Sequence, residues 1–180
     1  MVHLIMKFAP IGVMALIAAL LVDLAGDNPK EAISLLKVLG VFALTVIGAI
    51  VFLMAVVYPI LVNRFTEFKY LDFLKKTLPA QILAFSTSSS AATLPVTIDC
   101  AEKNLKLSNE VSGFVLPLGI TINMHGTCIH QAISAVFIAQ AFGHDLGITE
   151  YLIVIFTCVL SSMGAPAVPG AGIIMLLIVL

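Results

Sequence analysis

The chain has 180 residues, of which 61% are hydrophobic and only 11% charged, and its mean hydropathy is +1.14. An ordinary soluble domain is about half apolar and about a quarter charged, so a soluble enzyme or a nucleic-acid binder is excluded first. Nine Lys and Arg against ten Asp and Glu give a net charge of −1, which offers polyanions no basic field; an all-α integral membrane protein remains.

The first apolar segment, Phe8 to Val22, extends to either side and is expected as a membrane helix over 1–25. A secretory leader would end at a small-residue cleavage site before a mature soluble domain. Here hydrophobicity continues to Leu180, inside the apolar run Ile173 to Leu180, so the sequence reads as part of a longer protein. Asp23 to Glu31, with Gly26, Asn28 and Pro29, reads as a loop. Val38 to Asn63 is free of charge, and a span needs about 20 residues, so a transmembrane helix is expected over 35–63. Arg64 to Lys76 is charged and aromatic, as an interfacial segment is. The cysteines, Cys100, Cys128 and Cys158, are an odd, widely spaced set without a C-x-x-C pair and read as inert apolar thiols.

Thr77 to Thr97 also lacks charge, but its middle is Ser86-Thr87-Ser88-Ser89-Ser90, followed by Thr93 and Pro95. Its flanking connections are both basic: Arg64, Lys69, Lys75 and Lys76 on one side, Lys103 and Lys106 on the other. By the positive-inside rule both belong on the cytoplasmic side. An even number of crossings must then separate them, so a re-entrant hairpin over 72–98 is expected, turning at the serines. Val111 to Gly143 is uncharged apart from His125 and His130. One helix of that length would be about 50 Å long against a core of about 30 Å, so a discontinuous helix is expected over 108–143. His144 to Glu150 is a short loop. A second hairpin, over 149–180, is expected to turn within Gly164 to Gly172, where two prolines and several glycines cannot continue a helix; a kinked single span is the alternative.

Non-helical backbone at membrane depth is tolerated only where protein buries it or a polar cavity meets it. Three consecutive segments carry such breaks: Ser86 to Ser90, Thr121 to Thr127 and Ser161 to Gly172. Interrupted hydrophobic segments in pairs point to the binding site of a secondary transporter. At the first break, free N–H groups of Ala91 and Ala92 and the hydroxyls of Ser89 and Ser90 suit a carboxylate. At the second, unwound carbonyls and the Asn123 amide offer hard oxygen ligands for a hard monovalent cation. His125, Cys128 and His130 could not all face one way on a straight helix, which argues against a metal site there. An intramembrane ionisable group is a functional candidate, with a satisfied core histidine as the plain alternative.

The motifs together resemble the dicarboxylate/amino acid:cation symporters, the glutamate transporter family. Ser86-Thr87-Ser88-Ser89-Ser90-Ala91-Ala92-Thr93-Leu94-Pro95 resembles the first hairpin tip. Asn123-Met124-His125-Gly126-Thr127 resembles the motif Asn-Met-Asp-Gly-Thr. Val168-Pro169-Gly170-Ala171-Gly172 resembles the second tip, and Ala9-Pro10-Ile11-Gly12-Val13 a scaffold helix. Order and spacing agree along essentially the whole chain. The resemblance implies a partial glutamate-transporter-like fold: transmembrane helices, two re-entrant helical hairpins and a discontinuous helix. It implies a homotrimer, built through the scaffold helix at 1–25, in the cell membrane, with elevator transport. The substrate would be an acidic or small neutral amino acid or a dicarboxylate, moved with Na⁺, or with H⁺ in place of one Na⁺. By the same resemblance Ser89 and Ser90 meet the substrate carboxylate and Thr127 its side chain, while Ala167, Val168 and Gly172 close over it as the outer gate. Sodium would be held by the carbonyls of Gly119 and Thr121, the side chain of Asn123, and the backbone around Ser162, Met163 and Ala165.

The sequence departs from the pattern at His125, which replaces the motif's Asp. An imidazole is a poor ligand for a hard cation, so one sodium site is expected to be lost, with His125 a proton site in its place or a neutral ring. The family's first helices and its last helix, which grips the substrate amine, are expected outside this sequence, so the chain alone is not expected to transport. An enzyme is not expected: an intramembrane hydrolase using a Ser and His125 lacks a G-x-S-x-G elbow. The other alternative is a truncated, non-transporting remnant or subunit of such a carrier.

Overall fold

The structure is a computed structural model that describes residues 29–165 and 171–179, together with Ile11, residues 14–16, Ala18, Ala19 and Val22, which are helical. Most of the segment 1–25 and the second tip at Pro166 to Gly170 lie outside the described residues. The chain divides into two compact units, Met1–Leu44 and Thr45–Leu180. In the first, the helix α1 (Pro29–Phe52) begins at a proline, whose missing N–H costs nothing in a first turn. Pro29 to Glu31, three residues expected in a loop, are therefore already helical.

In the second unit α1 passes through a π turn (Leu53–Val57) into α2 (Tyr58–Phe65). Pro59 explains the π turn. Its ring would clash with the carbonyl one α-turn back, and the wider turn, closed by the Tyr58 N–H on the Leu53 carbonyl, makes room. Among the described residues Ile33–Phe65 is the one helix long and apolar enough to cross a membrane, at 33 residues. The interfacial connection is shorter than expected: only residues 66–69 separate α2 from α3 (Tyr70–Thr87).

Then follow α4 (Ser90–Asp99), a π turn (Cys100–Asn104), α5 (Asn109–Ile122), α6 (His125–Ala141), α7 (Ile148–Gly164) and α8 (Ala171–Val179). α3 packs on α4, α4 on α5, α5 on α7, and α6, α7 and α8 pack on one another. Two side-chain bonds fasten the π turn after α4, one to α3 and one to α5. Asn104 Nδ2 donates to the Lys76 carbonyl at 2.7 Å, and the fully buried Ser112 donates to Glu102 Oε1 at 2.6 Å.

The distribution of side-chain sizes is the reverse of a soluble core. The buried residues are small: Ala80, Ala101, Ala135, Cys158, Ser134, Ser161 and others, with Gln131 the largest. Large apolar residues such as Phe85, Phe114, Phe142 and Ile148 face outward. Small residues let helix backbones approach closely where no hydrophobic effect drives them together, as in a bilayer, and a large exposed apolar surface calls for an apolar surrounding.

Candidate functional site

Each of the three sequence breaks has a definite geometry up to the limit of the described residues. At the first, α3 ends on Ser88, a non-glycine residue at φ +49°, whose N–H donates to the Ala84 carbonyl at 2.9 Å. A left-handed residue stops a helix by turning the chain back. Ser89 then caps α4: its Oγ accepts the Ala92 N–H at 3.2 Å. The expectation of a free Ala92 N–H is thus corrected. The hydroxyl of Ser89 takes that donor, because a serine at this position satisfies the helix terminus itself. The buried Thr93 stitches the turn from beneath, donating to the Ser89 carbonyl at 2.8 Å and lying 3.4 Å from Thr87 Oγ1. Ser90, the first residue of α4, remains exposed.

At the second break two residues leave helical geometry, Asn123 (φ −102°, ψ 66°) and Met124 (φ −107°, ψ 59°). The Asn123 N–H donates to the Gly119 carbonyl at 2.9 Å, so that predicted sodium ligand already carries one hydrogen bond and keeps one lone pair. The carbonyls after Gly119 lack a following α-turn. The Asn123 side chain is exposed, and the Thr121 hydroxyl turns back to the Leu118 carbonyl at 2.9 Å. α6 restarts at His125 without a side-chain cap, and Thr127 Oγ1 contacts Met124 Sδ at 3.8 Å. His125 Nδ1 lies 3.3 Å from the Tyr58 hydroxyl, the rings tilted by 60°. With Nδ1 as the acceptor, Tyr58 donates. With Nδ1 protonated the roles reverse and the ring donates to the Tyr58 oxygen, so the contact suits either direction.

At the third break α7 ends at Gly164, and Ala165 turns to extended backbone (φ −70°, ψ 129°). Ala165 and Ser162 are buried, Met163 is exposed, and the Ser162 hydroxyl is spent on the Val159 carbonyl at 2.9 Å. Ala167 and Val168 lie outside the described residues. Gly172 is within them: a Cβ added there would lie 3.3 Å from Thr127 Cγ2. So Thr127 and Gly172, predicted on different segments, are brought together, and glycine is what permits the approach. Ser89 and Ser90 are not brought onto them. Among the described residues α4 packs on α3 and α5, and it makes no helix contact with α6, α7 or α8.

Gln131 is a residue that reading the sequence alone missed. It is fully buried, its Nε2 donates to Ser161 Oγ at 3.3 Å and to the Gly172 carbonyl at 3.4 Å, and Oε1 has no partner. Ser161 in turn donates to the Met175 carbonyl at 3.0 Å. One side chain on α6 thereby ties α7 to the start of α8. The available signal was a Gln one helical turn after Thr127, on the same face of an apolar helix. Among the described residues no cluster of three His, Cys, Asp or Glu could hold a metal ion.

Comparison with known proteins matches residues 1–180 to the profile of the sodium:dicarboxylate symporter family. Excitatory amino acid transporter 1 of Ambystoma tigrinum is 38% identical over 180 residues, 100% of this chain and 32% of the relative. Excitatory amino acid transporter 3 of Homo sapiens is 36% identical over 179 residues, 99% of this chain and 33% of the relative. Excitatory amino acid transporter 5 of Mus musculus is 35% identical over 173 residues, 96% and 30% respectively. The chain spans about a third of the length of the curated relatives it matches.

Proposed function

The chain belongs to the sodium:dicarboxylate symporter family, and from that premise we propose that it forms part of a sodium-coupled secondary transporter for an acidic or small neutral amino acid or a dicarboxylate. The carrier sits in the cell membrane as a multi-pass homotrimer and moves its substrate by an elevator motion. α3 with α4, and α7 with α8, act as re-entrant hairpins; α5 and α6 are the halves of the discontinuous helix. Segment 1–25 supplies the scaffold contact between protomers, and the helix over 35–63 belongs to the moving part.

The observation that carries this reading is the approach of Thr127 to Gly172 beside the unwound Asn123 and Met124. An irregular backbone next to a threonine packed through its methyl against a glycine, between helices, suits a ligand site inside an apolar helix bundle. Ser90 supplies its exposed hydroxyl, at the start of α4, to the substrate carboxylate; Ser89, which caps that helix, lies beside it. Thr127 meets the substrate side chain, and Ala167, Val168 and Gly172 close over it. Sodium binds through Gly119, Thr121 and Asn123, and through the backbone around Ser162, Met163 and Ala165.

His125 makes this carrier differ from the motif. An imidazole beside Tyr58 brings no negative charge to the sodium site, so one sodium is lost, and a proton at His125 takes the place of that cation. Uptake by the full-length protein between about pH 5 and 8 tests the proton: a pH-dependent rate that His125→Asp flattens supports it, and a flat profile unchanged by the substitution removes it. The site itself is tested by equilibrium binding of L-aspartate, L-serine and succinate to the full-length protein, in sodium and in choline. The reading expects sodium-dependent binding of one of them, weakened about tenfold by Ser90→Ala and by Thr127→Val, since one lost hydrogen bond is worth about 0.5–1.5 kcal/mol. Binding unaffected by either substitution would refute the assignment.

A further inference from the structure

The elbow between α2 and α3 holds a cavity that the transport reading does not use. Its volume is about 810 Å³, and its walls include Asn63, Glu67, Lys69, Asp72 and Lys75. An adjoining cavity of about 490 Å³ shares Glu67, Lys69, Asp72 and Lys75 and adds Lys76. The larger volume lies within the range of small-molecule sites, about 300–1,000 Å³.

Two carboxylates and two ammonium groups, all on exposed residues, thus line one open cleft. None of these four charges forms an ion pair among the described residues, where the only such pair joins Lys103 to Asp99. The walls do not depend on a loose loop. The Tyr70 N–H donates to Asn63 Oδ1 at 3.0 Å, and the Tyr70 hydroxyl donates to the Met54 carbonyl at 2.7 Å. Thr66 Oγ1 donates to the Val62 carbonyl at 2.7 Å and accepts the Phe68 N–H at 3.3 Å. Lys76 Nζ sits 4.4 Å from the Phe68 ring centroid. With Oδ1 of Asn63 taken, its NH₂ is left to donate.

Helix α3 opens on this space. Lys69 precedes it without a side-chain cap, the Tyr70 N–H is taken by Asn63, and the Phe73 N–H is taken by the Lys69 carbonyl. The N–H groups of Leu71 and Asp72, in between, are the helix's open donors. Beside the cavity the apolar side chains of Phe65 and Leu71 are 78% and 70% exposed. The cavity also lies at the end of the 33-residue apolar helix Ile33–Phe65, the level where a spanning helix leaves the hydrocarbon for the headgroups.

From this juxtaposition we propose that the elbow cavity binds a zwitterionic phospholipid headgroup of the phosphoethanolamine class. The phosphate is taken by Lys69, Lys75, the Asn63 amide and the start of α3. The primary ammonium is taken by Glu67 and Asp72, and the acyl chains run along Phe65 and Leu71. In the larger cavity carboxylates and ammonium groups are equal in number, which favours a zwitterion over a simple anion: the headgroup ammonium gives Glu67 and Asp72 a partner that a simple anion lacks. A choline headgroup has no N–H to donate to those carboxylates. The proposal rests on the reading of this chain as membrane-embedded.

The test uses the full-length protein in nanodiscs of phosphatidylcholine alone, with added phosphatidylethanolamine, or with added phosphatidylglycerol, and follows amide hydrogen exchange over residues 59–76. The expected result is several-fold slower exchange in the phosphatidylethanolamine discs. Lys69→Gln with Lys75→Gln should remove that protection, and so should Glu67→Gln with Asp72→Asn. Equal protection by phosphatidylglycerol, or equal exchange in all three discs, would overturn the proposal. Protection by soluble phosphoethanolamine, independent of the lipid, would overturn the lipid source. Failure of the protein to incorporate into discs at all would overturn the membrane reading and the site with it, whereas incorporation without protection overturns the site alone.

Discussion

Replacing Gln131 separates the two things this residue does. It fills space between α6, α7 and α8, and it donates to Ser161 Oγ and the Gly172 carbonyl. Both bonds are long, so each is worth about 0.5 kcal/mol, at the low end for a net hydrogen bond. Oε1 is buried without a partner, a loss of at least about 1 kcal/mol against the same group in water. In Gln131→Leu the two bonds disappear and so does the orphaned oxygen, while Ser161 keeps its own bond to Met175. The net change in stability is therefore within about 1 kcal/mol. Gln131→Ala loses the same polar groups and also empties the volume, which adds roughly 2–3 kcal/mol. Thermal unfolding of the full-length protein should rank wild type and Leu close together and Ala well below. Hydrogen exchange should tell a second story: both variants free Gly172, so amides of 171–179 exchange faster in both. Equal melting of the Leu and Ala variants would refute the packing argument. Unchanged exchange in α8 would refute the tie between Gln131 and Gly172.

Three other outcomes follow from single contacts. Gly172→Ala places a Cβ 3.3 Å from Thr127 Cγ2; the crowding should weaken substrate binding, and Thr127→Ser, which removes that methyl, should restore part of it in the double variant. Ser89→Ala removes the cap on the Ala92 N–H and should cost about 1 kcal/mol locally, read as faster exchange at the first turn of α4, whereas Ser89→Gly should cost only tenths. Ser112→Ala leaves the Glu102 carboxylate without its 2.6 Å donor; a loss of about 1–3 kcal/mol should show as easier proteolysis between residues 100 and 112, partly reversed by Glu102→Gln.

The breaks were legible because they are written in residue types. The serine run, Asn123 with Gly126, and Gly164 stand out against an apolar background, and the chain leaves helical geometry at Ser88, Asn123 and Ala165. Limits of elements were less legible. The start of α1 at Pro29 was hidden by the turn-like composition of Asp23 to Glu31, and the length of α2 by Arg64, which the exposed end of a helix tolerates. Contacts distant in sequence were not legible. Tyr58 lies 67 residues from His125 and Gln131 lies 41 from Gly172, and no local period encodes either meeting. The capping of Ala92 by Ser89 was local but ambiguous, because a serine at a helix start suits a ligand and a cap equally well.

The central claim is that this family member carries an acidic or small neutral amino acid or a dicarboxylate on a sodium gradient. The most direct measurement is uptake of labelled aspartate, serine and succinate into proteoliposomes holding the full-length protein, with sodium or choline outside. The account predicts accumulation of at least one of them that requires inward sodium and collapses when the gradient is dissipated. Accumulation equal in choline, or none of any substrate in sodium, would contradict it.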